Sequence, residues 1–194
     1  MPTVIVATGN PGKLKEMQGY LDPLGWQLQL KPGDLDIEET GTTFLANARL
    51  KAAGVAQALG QWAIADDSGL EVHTLGGAPG IYSARYADSD QARIDRLLQE
   101  LADSGGCDRS AQFVCALALA NPNGEIMLET EGICPGEILT APRGSGGFGY
   151  DPIFYVPTLN RSFAEMSSAE KDANSHRGIA FSQLLPALAK LSID

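Results

Sequence analysis

Apolar residues fall along the chain in two kinds of burst, β-branched runs and runs spaced by three or four, and the two kinds alternate. Thr3 to Ala7 (TVIVA) is a β-branched run stopped by Thr8-Gly9-Asn10-Pro11-Gly12, which reads as a buried strand entering a tight loop. Leu14, Met17 and Leu21 then recur at helical spacing, so Lys13 to Leu21 is a predicted helix. Gln27 to Leu30 alternates as a second strand, and a polar segment follows through Gly41. Phe44 to Leu59, rich in Ala and Leu, reads as a long helix with Thr42 or Thr43 as its cap. Trp62 to Ala65 and Leu70 to Thr74 read as strands flanking an acidic turn, Asp66-Asp67-Ser68-Gly69.

After the loop Gly76 to Gly80, the spacing in Asp90 to Leu101 predicts an amphipathic helix. Phe113 to Ala120 and Glu125 to Gly132 form a hairpin through Asn121-Pro122-Asn123-Gly124, residues that form turns and tolerate positive φ. Pro142 to Pro152 is too rich in glycine for regular structure. A last helix is predicted from about Ser175 to Leu191, with Pro186 expected to kink or restart it. No repeat or interdomain linker interrupts the pattern. Residues 1–194 therefore read as one α/β domain with a mixed sheet and a subsidiary lobe.

Composition narrows the class. The 194 residues suffice to bury a core, and 44% hydrophobic with 20% charged residues excludes a largely disordered chain. A formal net charge of −10 argues against a protein that grips the nucleic acid backbone, which needs clustered Lys and Arg. A small anion needs only a few well-placed cations. Cys107, Cys115 and Cys134 are odd in number and make no CxxC pair, so neither a disulfide framework nor a paired zinc motif is indicated and a reducing compartment is expected. The first apolar run is too short to span a membrane and no basic stretch precedes it, which points to a cytoplasmic protein.

Four segments carry candidate chemistry. Thr8-Gly9-Asn10-Pro11-Gly12-Lys13 sits between a strand and a helix, where unsatisfied backbone N–H groups, the helix dipole and the Lys13 charge suit a phosphate. Its spacing is not that of a P-loop, and an ordinary turn capped by Asn10 uses the same residues. Glu38, Glu39, Asp66 and Asp67 supply hard oxygens of the kind magnesium takes, one or two at a time, together with substrate phosphates. Neighbours on an extended backbone face opposite ways, so only one of Asp66 and Asp67 can enter a given site, and Asp67 is favoured as the one nearer the turn. An Asx turn between two strands is the other reading of Asp66-Asp67-Ser68-Gly69, and a solvated loop is the other reading of Glu38-Glu39.

In the third segment, Gly146 to Pro152, glycines beside Phe148 would let the backbone approach a flat ligand such as a nucleobase while the ring stacks on it. The alternative is a surface loop anchored by a buried Phe148. The fourth, Glu170-Lys171 with Ser175-His176-Arg177-Gly178, brings donors to the start of the last helix, where they could read a carbonyl oxygen on a base edge. Lys51 and Arg85 add cations near the carboxylate-bearing segments.

Together these pieces are more specific than any one of them. Thr8-Gly9-Asn10-x-x-Lys13, Phe44-x-x-Asn47-Ala48-x-x-Lys51-Ala52, Ala65-Asp66-Asp67-Ser68-Gly69-Leu70, Gly80-Ile81-Tyr82-Ser83-Ala84-Arg85-Tyr86, Gly147-Phe148-Gly149-Tyr150-Asp151-Pro152 and Ser175-His176-Arg177-Gly178 stand in one family's order. The chain resembles the inosine triphosphate pyrophosphatase family, in its bacterial dITP/XTP pyrophosphatase branch, from about residue 3 to residue 185. The resemblance implies an elongated two-lobed α/β fold around a cleft, a homodimer, and a magnesium-dependent enzyme. That enzyme cuts ITP, dITP, XTP and dXTP to the monophosphate and pyrophosphate.

Carried over, Thr8, Gly9, Asn10, Pro11, Gly12 and Lys13 would hold the triphosphate. Glu38 and Asp67 would hold the metal, with Asp67 also taking the proton of the attacking water and Ser68 touching substrate beside it. Phe148, Gly149, Tyr150, Asp151, Lys171, His176 and Arg177 would form the base and sugar pocket, with Lys51 and Arg85 as further phosphate contacts. Two alternatives stay within nucleotide chemistry: a pyrophosphatase with another base preference, and a nucleotide-binding sensor without hydrolysis. A nucleic-acid-binding module and a membrane partner are not expected.

Overall fold

The computed structural model describes residues 2–193. The first β-branched run forms strand β1 (Thr3–Val6), which pairs in parallel with β2 (Gln27–Leu30) on one side and with β3 (Ala63–Val72) on the other. Between β1 and β2 lies α1 (Pro11–Leu21), where Asn10 Oδ1 accepts the Gly12 N–H at 2.8 Å and Pro11 occupies a position whose N–H has no helical partner. Helix α2 (Phe44–Leu59) runs over the predicted residues, capped by Thr43, whose hydroxyl accepts the Ala46 N–H at 3.1 Å. Gly60 closes α2 in the left-handed region.

The strand β3 departs from the sequence reading. Asp66-Asp67-Ser68-Gly69 is not a turn between two strands; all four lie inside one ten-residue strand. Asp, Ser and Gly read as turn formers because their side chains compete for nearby backbone. Here both carboxylates find cation partners instead, which leaves the backbone free for the sheet.

Helix α3 (Asp90–Asp103) starts on the Ser89 cap and buries Ile94, Leu97 and Leu101. Strands β4 (Ser110–Ala120) and β5 (Ile126–Ile138) are longer than the predicted hairpin, and its turn closes with Gly124 N–H on Asn121 O at 2.8 Å. Short strands β6 (Phe154–Val156) and β7 (Arg161–Ser162) continue antiparallel from β5. The described strands form one mixed sheet in the order β2-β1-β3-β4-β5-β6-β7. Helix α4 (Ser168–Asn174) is short and carries a Ser167–Glu170 capping box, and extended Ser175 separates it from α5 (His176–Leu188). Pro186 does not restart α5. It is exposed within the last turn, where its missing N–H costs one terminal hydrogen bond.

The chain divides into two compact units. The first holds residues up to Asp67, Cys115–Gly132 and everything from Arg177. Its core packs Val4, Val6, Ile64, Leu117 and Leu119 of the sheet with Met17 and Leu21 of α1 and Phe181 of α5. The second holds Ser68–Val114 and Ile133–His176, and its centre is aromatic: Phe113, Phe154 and Phe163 pack with centroids 4.6–5.6 Å apart. Among the described residues no helix is long and apolar enough to cross a membrane.

Candidate functional site

In the first unit, the turn after β1 is ordered by its own side chains. Thr8 Oγ1 accepts the Asn10 N–H at 3.1 Å, so the capped-turn reading of Thr8 to Gly12 holds as local structure. Gly9, Asn10, Pro11 and Gly12 stay exposed. Lys13, on the first turn of α1, places Nζ 2.8 Å from Asp66 Oδ1.

The neighbouring carboxylate, Asp67, belongs to a different set of partners, as the alternation of a strand requires. Lys51 Nζ lies 2.8 Å from Asp67 Oδ1 and 2.9 Å from Glu39 Oε1, so one ammonium bridges two carboxylates. Asp67 is 8% exposed, and among the described residues its buried Oδ2 meets no hydrogen-bond partner. Burial pushes the Asp67 carboxyl above its usual range, and Lys51 only partly opposes this. Lys51 is itself penalised by burial, yet the charges of Asp67 and Asp66 and its hydrogen bonds hold its ammonium above the usual lysine value. The two directions describe one pair, with the proton on the lysine and the carboxylate ionised at a cost.

Helix α2 holds this pair in register. Asn47, Lys51 and Gly54 recur at helical spacing and lie on one face. Asn47 Oδ1 accepts the Gly41 N–H at 2.8 Å, and a Cβ on Gly41 would meet that oxygen at 2.6 Å. A Cβ on Gly54 would meet Ile37 Cδ1 at 2.8 Å. The segment carrying Glu38 and Glu39 is thus pinned on α2 at both ends. Glu39 turns to Lys51, whereas Glu38 is exposed.

Arg177 and Glu16 complete the first unit's cluster. Arg177 is 2% exposed and donates from Nη2 to Asp66 Oδ2 at 2.9 Å, from Nε to the same oxygen at 3.3 Å, and from Nη1 to Glu16. Burial opposes the charge on Asp66, but Lys13, then Arg177 and Lys51, outweigh it and hold the carboxyl far below the usual carboxylate range. Arg177, expected in the base pocket, makes these three bonds to Asp66 and Glu16, which engage three of the guanidinium's five N–H donors.

In the second unit, Asp151 organises the glycine-rich loop. Its Oδ2 accepts the Phe148 N–H at 2.9 Å and the Lys171 ammonium at 2.5 Å. A Cβ on Gly147, whose φ is +73°, would fall 1.9 Å from that oxygen, so this glycine serves the Asp151 carboxylate. The reading of Phe148 as a buried anchor is overturned: its ring is 44% exposed, with Lys171 Nζ 4.6 Å from its centroid. Tyr150 does turn inward; it is 4% exposed and donates to Ser83 O at 3.0 Å. Gly149 N–H donates to Asp90 Oδ2 at 2.8 Å. His176, 6% exposed, stacks on Phe113 with centroids 4.7 Å apart and planes 12° apart, which leaves the ring edge as its polar contact surface. Ser68 is half-buried on β3, and Arg85 is exposed at the end of a 3-10 turn, Gly80–Arg85.

Sequence reasoning gave no role to Glu16, Asn47, Phe113 or Phe163. Asn47 stands inside a quoted motif, and its spacing of four from Lys51 was the available signal. Glu16 and Arg177 are 161 positions apart, and no local pattern could pair them.

Among the described residues, no three His, Cys, Asp or Glu side chains gather as a complete metal cage. Magnesium does not require one, since substrate phosphates and waters supply the remaining ligands. The buried, unbonded Oδ2 of Asp67 beside Glu39 is the kind of oxygen donor it takes.

Comparison with known proteins places the chain among close relatives. The family model described as Ham1 family matches residues 4–187. A dITP/XTP pyrophosphatase of Synechocystis sp. (strain ATCC 27184 / PCC 6803 / Kazusa) is 58% identical over 194 residues, covering 100% of this chain and 99% of its own. A protein of the same name from Nostoc sp. (strain PCC 7120 / SAG 25.82 / UTEX 2576) is 60% identical over 188 residues, 97% and 95% of the two chains. Among solved structures, a HAM1 protein from Coxiella burnetii superposes with a TM-score of 0.91 at 44% identity, covering 98% of this chain and 100% of the other.

Proposed function

The chain belongs to the Ham1 family, and from that premise we propose that it hydrolyses deaminated purine nucleoside triphosphates, ITP, dITP, XTP and dXTP, to the monophosphate and pyrophosphate. The observation that carries this reading is Asp67, a buried carboxylate with one oxygen on Lys51 and the other unbonded, in a chain that also presents an exposed phosphate-type turn with Lys13 at its end. In this reading Thr8 to Lys13 and Lys51 take the phosphates. Asp67 accepts the proton of the attacking water, a role suited by a carboxyl held above its usual range. Asp67 would also hold magnesium, with Glu39 and the exposed Glu38 as further oxygen donors. The ion would supply charge neutralisation on the phosphates.

The second unit serves the base. Phe148 offers an exposed ring face for stacking, and His176, stacked on Phe113, donates from its edge to a 6-oxo group. The amino group of adenine would meet that donor with another donor, at a cost of about 1–3 kcal/mol. Lys171 and Asp151 hold the loop that carries Phe148. A homodimer and a cytoplasmic setting complete the reading.

The test is a panel of nucleoside triphosphates with magnesium, read as pyrophosphate against orthophosphate release. ITP and XTP are expected to exceed ATP and GTP by at least about tenfold in kcat/KM. Orthophosphate release, or no preference, overturns the proposal.

A further inference from the structure

The peptide plane between Phe148 and Gly149 is held at both ends. Phe148 O accepts the Asp151 N–H at 3.2 Å, and Gly149 N–H donates to Asp90 Oδ2 at 2.8 Å. The plane before it is held as well, since Phe148 N–H donates to Asp151 Oδ2 at 2.9 Å. Asp151 belongs to the loop itself, whereas Asp90 opens α3, 59 positions before Gly149. Helix α3 does not need Asp90 as its cap, because Ser89 Oγ already accepts the Ala92 N–H at 3.2 Å. The Asp90 carboxylate is aimed from its other side: Oδ1 takes Arg93 Nη1 at 2.7 Å, and Arg93 Nε donates to Ala87 O at 3.1 Å. The Asp90 side chain is 50% exposed and that of Asp151 4%, so the loop is clamped from a wet side and from a buried one.

We infer that Asp90 is a positioning residue for the Phe148 ring, acting through the Gly149 amide. The inference rests on the reading that Phe148 stacks on the base. A side chain leaves the backbone at Cα, so the aim of the ring is set first by the torsions of its own residue, and the peptide planes on either side fix those torsions. The flanking residues do not fix them: Gly147 and Gly149 have φ of +73° and +61°, and glycine moves through φ space at little steric cost. Packing holds only part of a ring that is 44% exposed. The two carboxylates therefore set the platform. Asp151 fixes the plane before Phe148 and one end of the plane after it, and Asp90 fixes the other end with a charge-assisted bond. A platform ordered before the ligand arrives spares binding the cost of ordering it. Asp90 acts on the platform and not on the phosphate end, so its effect is confined to ligands that carry a base.

Pyrophosphate separates the two ends of the substrate because it has no base. Its inhibition constant, with kcat and KM for ITP, is measured for wild type, Asp90→Ala, Asp90→Asn, Phe148→Leu and the Asp90→Ala/Phe148→Leu double variant. Asp90→Ala is expected to raise KM about threefold, with kcat within about twofold and pyrophosphate inhibition unchanged, and Asp90→Asn, which keeps an acceptor oxygen, should recover most of the loss. On the Phe148→Leu background, Asp90→Ala should change KM less than about 1.5-fold, because no ring is left to aim. An unchanged KM in Asp90→Ala, equal losses with and without Phe148, or pyrophosphate weakening in step with ITP overturns the inference. If Phe148→Leu itself leaves KM unchanged, the stacking reading fails and takes the inference with it, a result that the single Phe148 variant reports by itself. Should Asp90→Ala not fold, Arg93→Met decides, since it removes the partner of Asp90 Oδ1. A KM rise of about twofold that vanishes on the Phe148→Leu background supports the clamp, and an unchanged KM or an additive rise rejects it.

Discussion

Two lysines with equally buried side chains, each 12% exposed, do opposite things in the two units. Lys51 lies between the carboxylates of Glu39 and Asp67, while Lys171 pairs with Asp151 and lies over the rings of Phe148 and Phe163, at 4.6 and 5.7 Å from their centroids. Burial strengthens whatever surrounds a charge. Around Lys51 that is anionic oxygen, so the ammonium tunes a carboxylate that a metal or a proton could use. Around Lys171 it is a single carboxylate, Asp151, and two aromatic faces, so the ammonium stiffens a loop and polarises a stacking surface. In the proposed reading the same residue type at the same depth serves phosphate chemistry in one unit and base recognition in the other.

The sharpest way to break that contrast is to neutralise each lysine's carboxylate partner. Asp67→Asn is expected to lower kcat by about 10²–10⁴-fold, with substrate binding still measurable by calorimetry, since it removes the proposed proton acceptor while keeping the volume. Asp151→Asn should keep kcat within about threefold and raise KM, because it loosens the Phe148 loop without touching the reacting atoms. Equal effects on kcat would show that the two units do not divide the work as described.

Replacing the lysines themselves sharpens the same point through pH. In Lys51→Met, Asp67 loses the charge that opposes its burial, so its carboxyl rises further. Activity that needs the ionised form then fails at a higher pH on the acid side, and the acid limb of kcat/KM moves up by about one unit. Lys171→Met should leave that limb in place and raise KM for every purine triphosphate. A third group has the opposite sign. The folded-state value of Asp66 is depressed, so its stabilisation is present above the unfolded carboxylate value and is lost as pH falls through the folded one. The melting-temperature gap between wild type and Asp66→Asn should therefore be full at neutral pH and shrink below about pH 4.

Much of the frame was legible because it depends on local pattern. The α2 residues follow from Ala and Leu spacing with a Thr43 cap, and β2 from strict alternation. The strand across Asp66 to Gly69 was not, because its turn-forming residues are held extended by partners far away in sequence. The site divides in the same way. That Asp66 and Asp67 take different partners follows from strand alternation, which needs only adjacent positions, whereas the ground for favouring Asp67, nearness to a turn, does not survive, since both lie inside β3. That Glu39 rather than Glu38 faces Lys51 depends on how Ile37 and Gly41 dock on α2, a tertiary fact. Arg177 carries the chemistry of a base reader in sequence, and its bonds to Glu16 and Asp66, 161 and 111 positions away, are legible only in the tertiary structure. Motifs name the residues near a site; they do not say which member of a motif faces the ligand.

The mildest test falls on the ring that Lys171 covers. Phe148→Leu keeps an apolar side chain but removes the flat π face, and stacking on such a face is worth about 1–3 kcal/mol per base. KM for ITP should rise about fivefold or more, with kcat nearly unchanged, because no reacting atom is touched. Stability should hardly respond, since the ring is 44% exposed and substitutions at such positions stay within about 0.5 kcal/mol. Pyrophosphate inhibition, read in the same protein, should not change at all. If it weakens together with ITP binding, Phe148 supports the phosphate end as well, and the division between a charged unit and an aromatic unit is not one of function.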